Sequence, residues 1–365
     1  MFSPETIQVL KIVIVTFLFS AMIMPLMKRI AHHIGAIDIP RTTEQNRHIH
    51  KKPIPKLGGL GIFFAFLFGY MLFGEQSIKM NSILIGSFII VLTGIMDDVN
   101  DLRASRKLIG QLIAACIIVF YGKITLTEIS AFGIYIHLGI FSEICTLFFI
   151  VACVNIINFT DGLDGLSSGV TSIFYITTAI ICYYQGRMGS LEMTLTLIML
   201  GATLGFLLHN FYPAKIFAGD CTQFMGFIIA VISLLGFKGT ALTSLFVPIM
   251  ILGLPIIDTA FAIIRRTLKG QPIFSADKQH FHHQLLGMNF SQRTTVLIIY
   301  GINILFALTS IFYVLSDPEA AKIIYIILVI IFIWFVCHTN IITEKRPPRF
   351  KDITKKIKKK AKEKK

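Results

Sequence analysis

Charge is what this chain has least of. Asp, Glu, Lys and Arg make up 15% of its 365 residues, where an ordinary soluble domain carries roughly 25%. With 55% hydrophobic residues and a mean hydropathy of +0.74, that scarcity excludes a soluble globular domain. Cysteine is sparse as well. The six (Cys116, Cys145, Cys153, Cys182, Cys221, Cys337) show no Cys-x-x-Cys spacing and five sit in apolar runs, which excludes a disulfide framework and a zinc site. No Walker A or Gly-rich nucleotide loop occurs, which argues against ATP hydrolysis. There is no tandem repeat, and no loop is long enough for a soluble domain. The first apolar run lacks a small-residue cleavage signature and reads as a retained helix.

What the chain has in excess is apolar length. A membrane-crossing helix needs roughly 20 mostly apolar residues. Hydropathy places spans near 7–27, 57–74, 80–96, 108–122, 141–157, 168–184, 191–209, 224–237, 241–264, 294–315 and 320–341. The fourth and eighth are short, so ten spans is the alternative count. Gly and Pro inside these runs do not argue against helices, because membrane helices tolerate them. The expected fold is all-α and polytopic, with about eleven transmembrane helices. Eleven spans divide the loops into two sets, and one set holds 28 of the 34 Lys and Arg. By the positive-inside rule that set is cytosolic, with the N-terminus outside and the C-terminus in the cytosol.

Residues 1–341 then form one transmembrane domain and 342–365 a basic cytosolic tail. The tail carries twelve Lys or Arg and three acids. It reads as a positive-inside anchor touching anionic lipid headgroups, at roughly 1 kcal/mol per base. With no aromatic beyond Phe350 to stack on bases, it does not read as a nucleic-acid binder.

The carboxylates are sorted by side. Of eleven Asp, nine lie in the cytosolic loops and Asp258 lies in the ninth span near its cytosolic end, whereas six of nine Glu lie toward the outer face. Short, stiff Asp suits a hard cation or a metal-bound phosphate. Asp97, Asp98 and Asp101 close the third span. If the helix continues a turn, Asp97 and Asp101 share a face, and three like charges at a helix C-terminus call for a compensating cation. Arg103, Arg106 and Lys107 could serve, or a metal-diphosphate could. Asn155, Asn158, Asp161 and Asp164 recur every three residues along a slowly drifting stripe, as polar groups facing a bundle interior would. Gly219-Asp220 opens the eighth span, where a helix N-terminus favours anions; alone it reads as a cap. Arg265 and Arg266 with His280, His282 and His283 form a fourth cluster. Its spacing fits no zinc motif and suits a phosphate and sugar pocket. Lys51, in His50-Lys51-Lys52-Pro53-Ile54-Pro55-Lys56-Leu57-Gly58-Gly59, belongs to a basic, rigid lead into the second span. Together these point to phosphoryl chemistry on a lipid-phosphate or nucleotide substrate.

Taken in order, Asp97–Asp101, Asn155–Leu166, Ala218-Gly219-Asp220, the Arg265–His283 loop and His50–Gly59 resemble the polyprenyl-phosphate N-acetylhexosamine-1-phosphate transferases. The likeness runs from about residue 20 to 315. It implies transfer of a HexNAc-1-phosphate from a UDP-sugar to undecaprenyl phosphate, with release of UMP, as a first membrane step of envelope polysaccharide or teichoic acid synthesis. It implies Mg²⁺, with Mn²⁺ as a substitute, and an active site on the cytosolic face of the plasma membrane. A homodimer is left open. By motif, Asn158 and Asp220 would bind the metal, and Asp97 and Asp98 would position or deprotonate the lipid phosphate. Asp161 and Asp164 would hold the nucleotide, Lys107 a phosphate, and Arg265, His280, His282 and His283 the diphosphate and sugar. Asp101 joins the catalytic set, and Lys51, Asn155 and Arg266 the substrate-binding set. The histidine pattern is similar to the GlcNAc-1-phosphate branch, with the phospho-MurNAc-pentapeptide branch as the alternative.

One departure stands out. The family reads Gly-Asp-x-Gly-Ser, whereas here Asp220 is followed by Cys221-Thr222-Gln223. That admits a catalytically silent scaffold. A transporter is the other rival, but it would place acids and amides at span centres rather than at span ends.

Overall fold

In the computed structural model the described residues are 3–39, 53–131, 134–236, 245–268, 270 and 280–338. The tail from 342 lies outside them, as does Lys51. The chain runs through α1 (Pro4–Ile34), α2 (Gly58–Phe73), α3 (Ile78–Asn100) and α4 (Ala104–Cys116), which continues through a π-helical turn at Ile117–Tyr121. Then come α5 (Ser142–Thr160), α6 (Leu166–Tyr184), α7 (Leu191–Asn210), a 3-10 turn at Gly219–Cys221, and α8 (Thr222–Gly236). It closes with α9 (Phe246–Ile251), α10 (Gly253–Leu268), α11 (Phe281–Gly287), α12 (Gln292–Leu315) and α13 (Pro318–His338). Local chemistry sets several starts. Ser3, Ser77, Ser190 and Ser291 each accept a backbone N–H three residues on, capping α1, α3, α7 and α12.

Among the described residues nine helices are long and apolar enough to cross a membrane. The chain is an all-α, multi-pass membrane protein, with two short antiparallel pairs that hydropathy did not signal. These are β1 (Ile37–Asp38) with β2 (Ile54–Pro55), and β3 (Glu128–Ala131) with β4 (Ile134–His137). Two predicted windows give shorter pieces. Window 57–74 is the 16-residue α2. Window 241–264 is divided into α9 and α10 at Leu252. An unbroken helix there would need Pro255 to donate to Ile251, and proline has no N–H; Gly253 eases the break.

The most enclosed helix is α8, whose Phe224, Phe227, Ile228 and Val231 have no exposed surface. It packs on α3, α5 and α7, which places the Gly219–Cys221 turn in the middle of the bundle. Without a hydrophobic force between helices in lipid, small residues let backbones approach. Gly201 and Gly205 of α7 do this against α1, where an added Cβ would lie 2.5 Å from the Val13 and Phe17 carbonyl oxygens respectively. α10 is turned inside out relative to a soluble helix. Its Arg265 and Arg266 are buried, at 3% and 4% exposure, while Ile264 and Leu268 are 52% and 76% exposed. Apolar surface faces lipid and the basic face turns inward.

Gly205→Val should lower the thermal midpoint in detergent, since a backbone carbonyl cannot step aside as a side chain can. Overpacking costs about 1–3 kcal/mol. An unchanged midpoint would refute this close approach of α1 and α7.

Candidate active site

The site is assembled around the turn ahead of α8. Gly219 has φ +68°, in the left-handed region, and a Cβ on it would overlap the Asp98 carboxylate. Only glycine fits. With no side chain in the way, the Asp220 N–H donates to both oxygens of Asp98, each at 3.1 Å. The turn is held from behind by the lead into α2. Phe217 N donates to the Pro55 carbonyl (2.8 Å), Gly58 N to Phe217 (2.8 Å) and Gly59 N to Ala218 (3.0 Å). The Pro55–Gly59 stretch is therefore a backbone clamp on the Asp220 loop.

Asp97 is buried next to Asp98 at the end of α3. The Lys107 ammonium pairs with Asp97 and, at 3.2 Å, with Asp220 Oδ1. Asn158 Nδ2 reaches the same Asp220 oxygen at 3.4 Å. Behind them Gln111 donates to Gln223 (2.7 Å), and Asn155 donates to Gln111 (2.7 Å). This chain of amides fixes α4, α5 and α8 in register. α3 stops at Asn100, so Asp101 does not complete the expected shared face with Asp97. It is the left-handed C-cap of α3, exposed, with φ 45°.

The stripe of four amides and acids is also shorter than its spacing suggests, because α5 ends at Thr160. Asp161 accepts the hydroxyls of Ser167 (2.5 Å) and Thr222 (2.8 Å). Burial pushes this carboxylate up to about 6, against the two hydroxyl bonds that pull it down. Asp164 is 1% exposed, and its Oδ2 accepts the Ala214 N–H at 2.8 Å. Asn210 accepts from Gly165 N (3.0 Å) and Ser168 (2.9 Å) and donates to Ile216 (3.0 Å). As arranged, Asp164 and Asn210 anchor the turn between α5 and α6 to the loop after α7.

The histidines close the assembly from α11. His282 is buried with its Nε2 against Gly162, leaving no room there for a Cβ, and so joins α11 to the Asp161–Asp164 turn. Burial, then its neighbours His283 and His280, holds the His282 pKa well below the ordinary value, so this ring is neutral at pH 7. His280 stacks on His282 with ring centres 5.7 Å apart, and His283 lies 4.3 Å from His282. Arg266 sits over the Phe159 ring at 5.5 Å. Arg265 is buried one residue earlier on α10.

Comparison with known proteins bears on this arrangement directly. A family profile, glycosyl transferase family 4, matches residues 80–237, and a second, for a protein of unknown function, matches 193–342. The chain is 39% identical to a probable undecaprenyl-phosphate N-acetylglucosaminyl 1-phosphate transferase of Bacillus subtilis, over 95% of this chain and 97% of that one. The chain belongs to this transferase family. A decaprenyl-phosphate N-acetylglucosaminephosphotransferase of Mycobacterium tuberculosis is 32% identical over 80% of each chain. An undecaprenyl-phosphate alpha-N-acetylglucosaminyl 1-phosphate transferase of Salmonella typhi is 28% identical over 78% of each.

For a member of this family, the structure adds residues that motif reading passed over. Gln111 and Gln223 are amides inside apolar helices, and that rarity was the available signal. Asp258, noted in the sequence only for its place in a span, lies 3.0 Å from His280 Nδ1 and accepts the Phe281 backbone N–H. Thr222, Ser167 and Asn210 gave no signal, since small polar residues are common at helix ends. Thr222 bears on the departure from Gly-Asp-x-Gly-Ser. Its hydroxyl lies 2.5 Å from the Gly219 carbonyl and 2.8 Å from Asp161, tying the Asp220 turn to the Asp161 turn without the family's Gly-Ser.

The donor set also suits the cation that the family implies. Asp220, Asn158 and the adjacent Asp97 offer hard oxygen atoms. Among the described residues no group of three or more His, Cys, Asp or Glu encloses an ion by itself.

Thr222→Val should raise the Asp161 pKa, because it removes a bond that favours the charged carboxylate. The acid limb of the transferase pH profile should move to higher pH by up to about one unit, the scale of one hydrogen bond. Thr222→Ser should leave it in place. An unmoved limb in the valine variant would dismiss this link.

Proposed function

We propose that this protein transfers GlcNAc-1-phosphate, or that of its GalNAc epimer, from the UDP-sugar to undecaprenyl phosphate and releases UMP. The observation that carries this reading is the convergence of Asp97, Asp98, Lys107, Asn158 and Asp220 on one turn, in a chain whose relatives bear the names given above. The lipid phosphate oxygen attacks the β-phosphorus, a new phosphoanhydride bond forms, and the bridge to the α-phosphate breaks with UMP as leaving group. Positioning and charge neutralisation can supply most of such a step. Asn158 and Asp220 would hold Mg²⁺, with Mn²⁺ as substitute, and the ion neutralises the diphosphate when bound.

The chain's own groups do the rest. Asp98 fixes the Asp220 backbone through its two hydrogen bonds and so aims the Asp220 side chain. Lys107 supplies positive charge within reach of both Asp97 and Asp220, where a phosphate would lie. Asp97, with Asp98 beside it, would orient or deprotonate the acceptor. Arg265, Arg266 and the histidines face the sugar diphosphate from α10 and α11. The Thr222 link supports an active enzyme over a silent scaffold.

The eleven-span arrangement is part of the same proposal, with the nine long helices, α2 and the α9–α10 pair as its spans. The N-terminus is then outside, and the site and basic tail lie on the cytosolic face of the plasma membrane. The 28-of-34 basic asymmetry supports it. Impermeant thiol labelling of intact cells should modify a cysteine placed at 185–190 and spare one at 269–278. The reverse pattern would overturn the orientation.

UMP release decides the chemistry. In detergent with Mg²⁺ and undecaprenyl phosphate, UDP-GlcNAc or UDP-GalNAc should give UMP, EDTA should abolish it, and UDP-MurNAc-pentapeptide should give none. Rejection of the peptide donor follows from missing contacts rather than from a clash. Equal use of the peptide donor would defeat the branch assignment, and no turnover of any donor would favour a silent scaffold.

A further inference from the structure

Asp258 is a half-buried acid that the reaction outlined above does not use, and both of its carboxylate oxygens are engaged. Oδ1 accepts the Phe281 backbone N–H at 2.9 Å. Oδ2 lies 3.0 Å from His280 Nδ1. The first bond caps α11, whose N-cap residue His280 makes no side-chain cap of its own. Capping needs one acceptor and no charge, so it does not account for a carboxylate held at a 6%-exposed imidazole. The second bond does. A carboxylate at Nδ1 keeps a proton on that nitrogen and leaves Nε2 as the working atom on the other side of the ring. It also offsets the positive charge that the ring takes up when Nε2 carries a proton toward a phosphate oxygen. The His280 ring lies beside Phe159, with centres 6.5 Å apart, one residue after Asn158.

The neighbouring groups do not duplicate this. His282, stacked parallel to His280 at 5.7 Å, is buried with Nε2 against Gly162 and without a hydrogen-bond partner among the described residues. His283 packs on His282. Arg266 also lies over Phe159, at 5.5 Å from its ring centre. His280 carries the Asp258 carboxylate at its Nδ1.

We propose that Asp258 is a positioning residue of this active site, which fixes the Nδ1 proton of His280 and so presents Nε2 to the sugar diphosphate. The proposal rests on the transferase reading above. Asp258→Asn is the sharp test, because the amide oxygen can still cap Phe281 while the NH₂ group donates to Nδ1 and reverses the tautomer. Asp258→Asn should lower kcat for UMP release at least tenfold with KM changed less than about threefold. In a His280→Ala background the same substitution should have less than a twofold effect, since residues acting as a unit are not additive. Equal losses in both backgrounds would mean a structural cap only and overturn the proposal, as would near wild-type kcat in Asp258→Asn.

A measurement on the unmodified chain guards against a variant that fails to fold. In ¹⁵N-histidine-labelled protein, the ring resonance lost on His280→Gln should report a protonated Nδ1. A bare Nδ1 with a protonated Nε2 would overturn the proposal. An inactive wild type would instead count against the transferase reading, and the tautomer measurement would still stand or fall independently.

Discussion

Two carboxylates from separate helices, Asp97 and Asp220, are held within reach of one ammonium, Lys107, and the rest of the site is arranged to make that geometry the resting one. Burying like charges side by side in a medium poor in water is costly unless each finds a partner. Here every element that approaches the centre brings one. α3 brings Asp98 to the Asp220 N–H, α4 brings Lys107, α5 brings Asn158, and the α2 lead clamps the backbone from behind. The absence of a side chain at Gly219 is as much part of this as any charge, since a Cβ would stand where the Asp98 carboxylate lies.

From that centre the polar network runs into the bundle through Gln111, Asn155 and Gln223 and outward along helix ends. The Thr222 hydroxyl carries it to Asp161, Ser167 completes that carboxylate's shell, and His282 carries contact on to α11. α10 then turns its basic face inward and its Ile264 and Leu268 outward. Its register follows from the break before it. A straight helix through 241–264 would have set Asp258, Arg265 and Arg266 on a different heading, so Gly253 and Pro255 belong to the construction of the site as well as to the fold.

Much of this was legible in the sequence, and what was not has physical causes. Apolar runs mark membrane helices with little ambiguity, and nine of the predicted windows coincide with long helices. The clustering of Asp97, Asp98, Asn158 and Asp220 was visible because short acids and amides at span ends have no generic reason to be there. The side on which each group acts was not visible. Asp101 and Asp164 share the motif of their neighbours, yet one is an exposed cap and the other a loop anchor, because α3 and α5 end where the spacing alone suggested continuation. Hydroxyls escaped notice altogether. Thr222 and Ser167 are ordinary in composition, and only their placement against Asp161 gives them a role.

The sharing of one ammonium between two carboxylates also determines what a single substitution at this site can mean. Neutralising Asp97 would leave Lys107 with one partner, while removing Lys107 would leave a buried and a half-buried carboxylate without their shared cation. In each case the cost of stranding the survivors adds to the loss of the group itself. A fall in activity at Lys107, Asp97 or Asp220 therefore measures the whole cluster. The hydroxyl at Thr222 differs in kind, since its removal takes away a bond to Asp161 and strands no charge. The Asp258–His280 pair lies between these cases. Its carboxylate meets an imidazole and a backbone N–H, and the His280 ring lies beside Phe159, over which Arg266 sits. Phe159, one residue after Asn158, thus links the Asp258–His280 pair to the Lys107 cluster by packing.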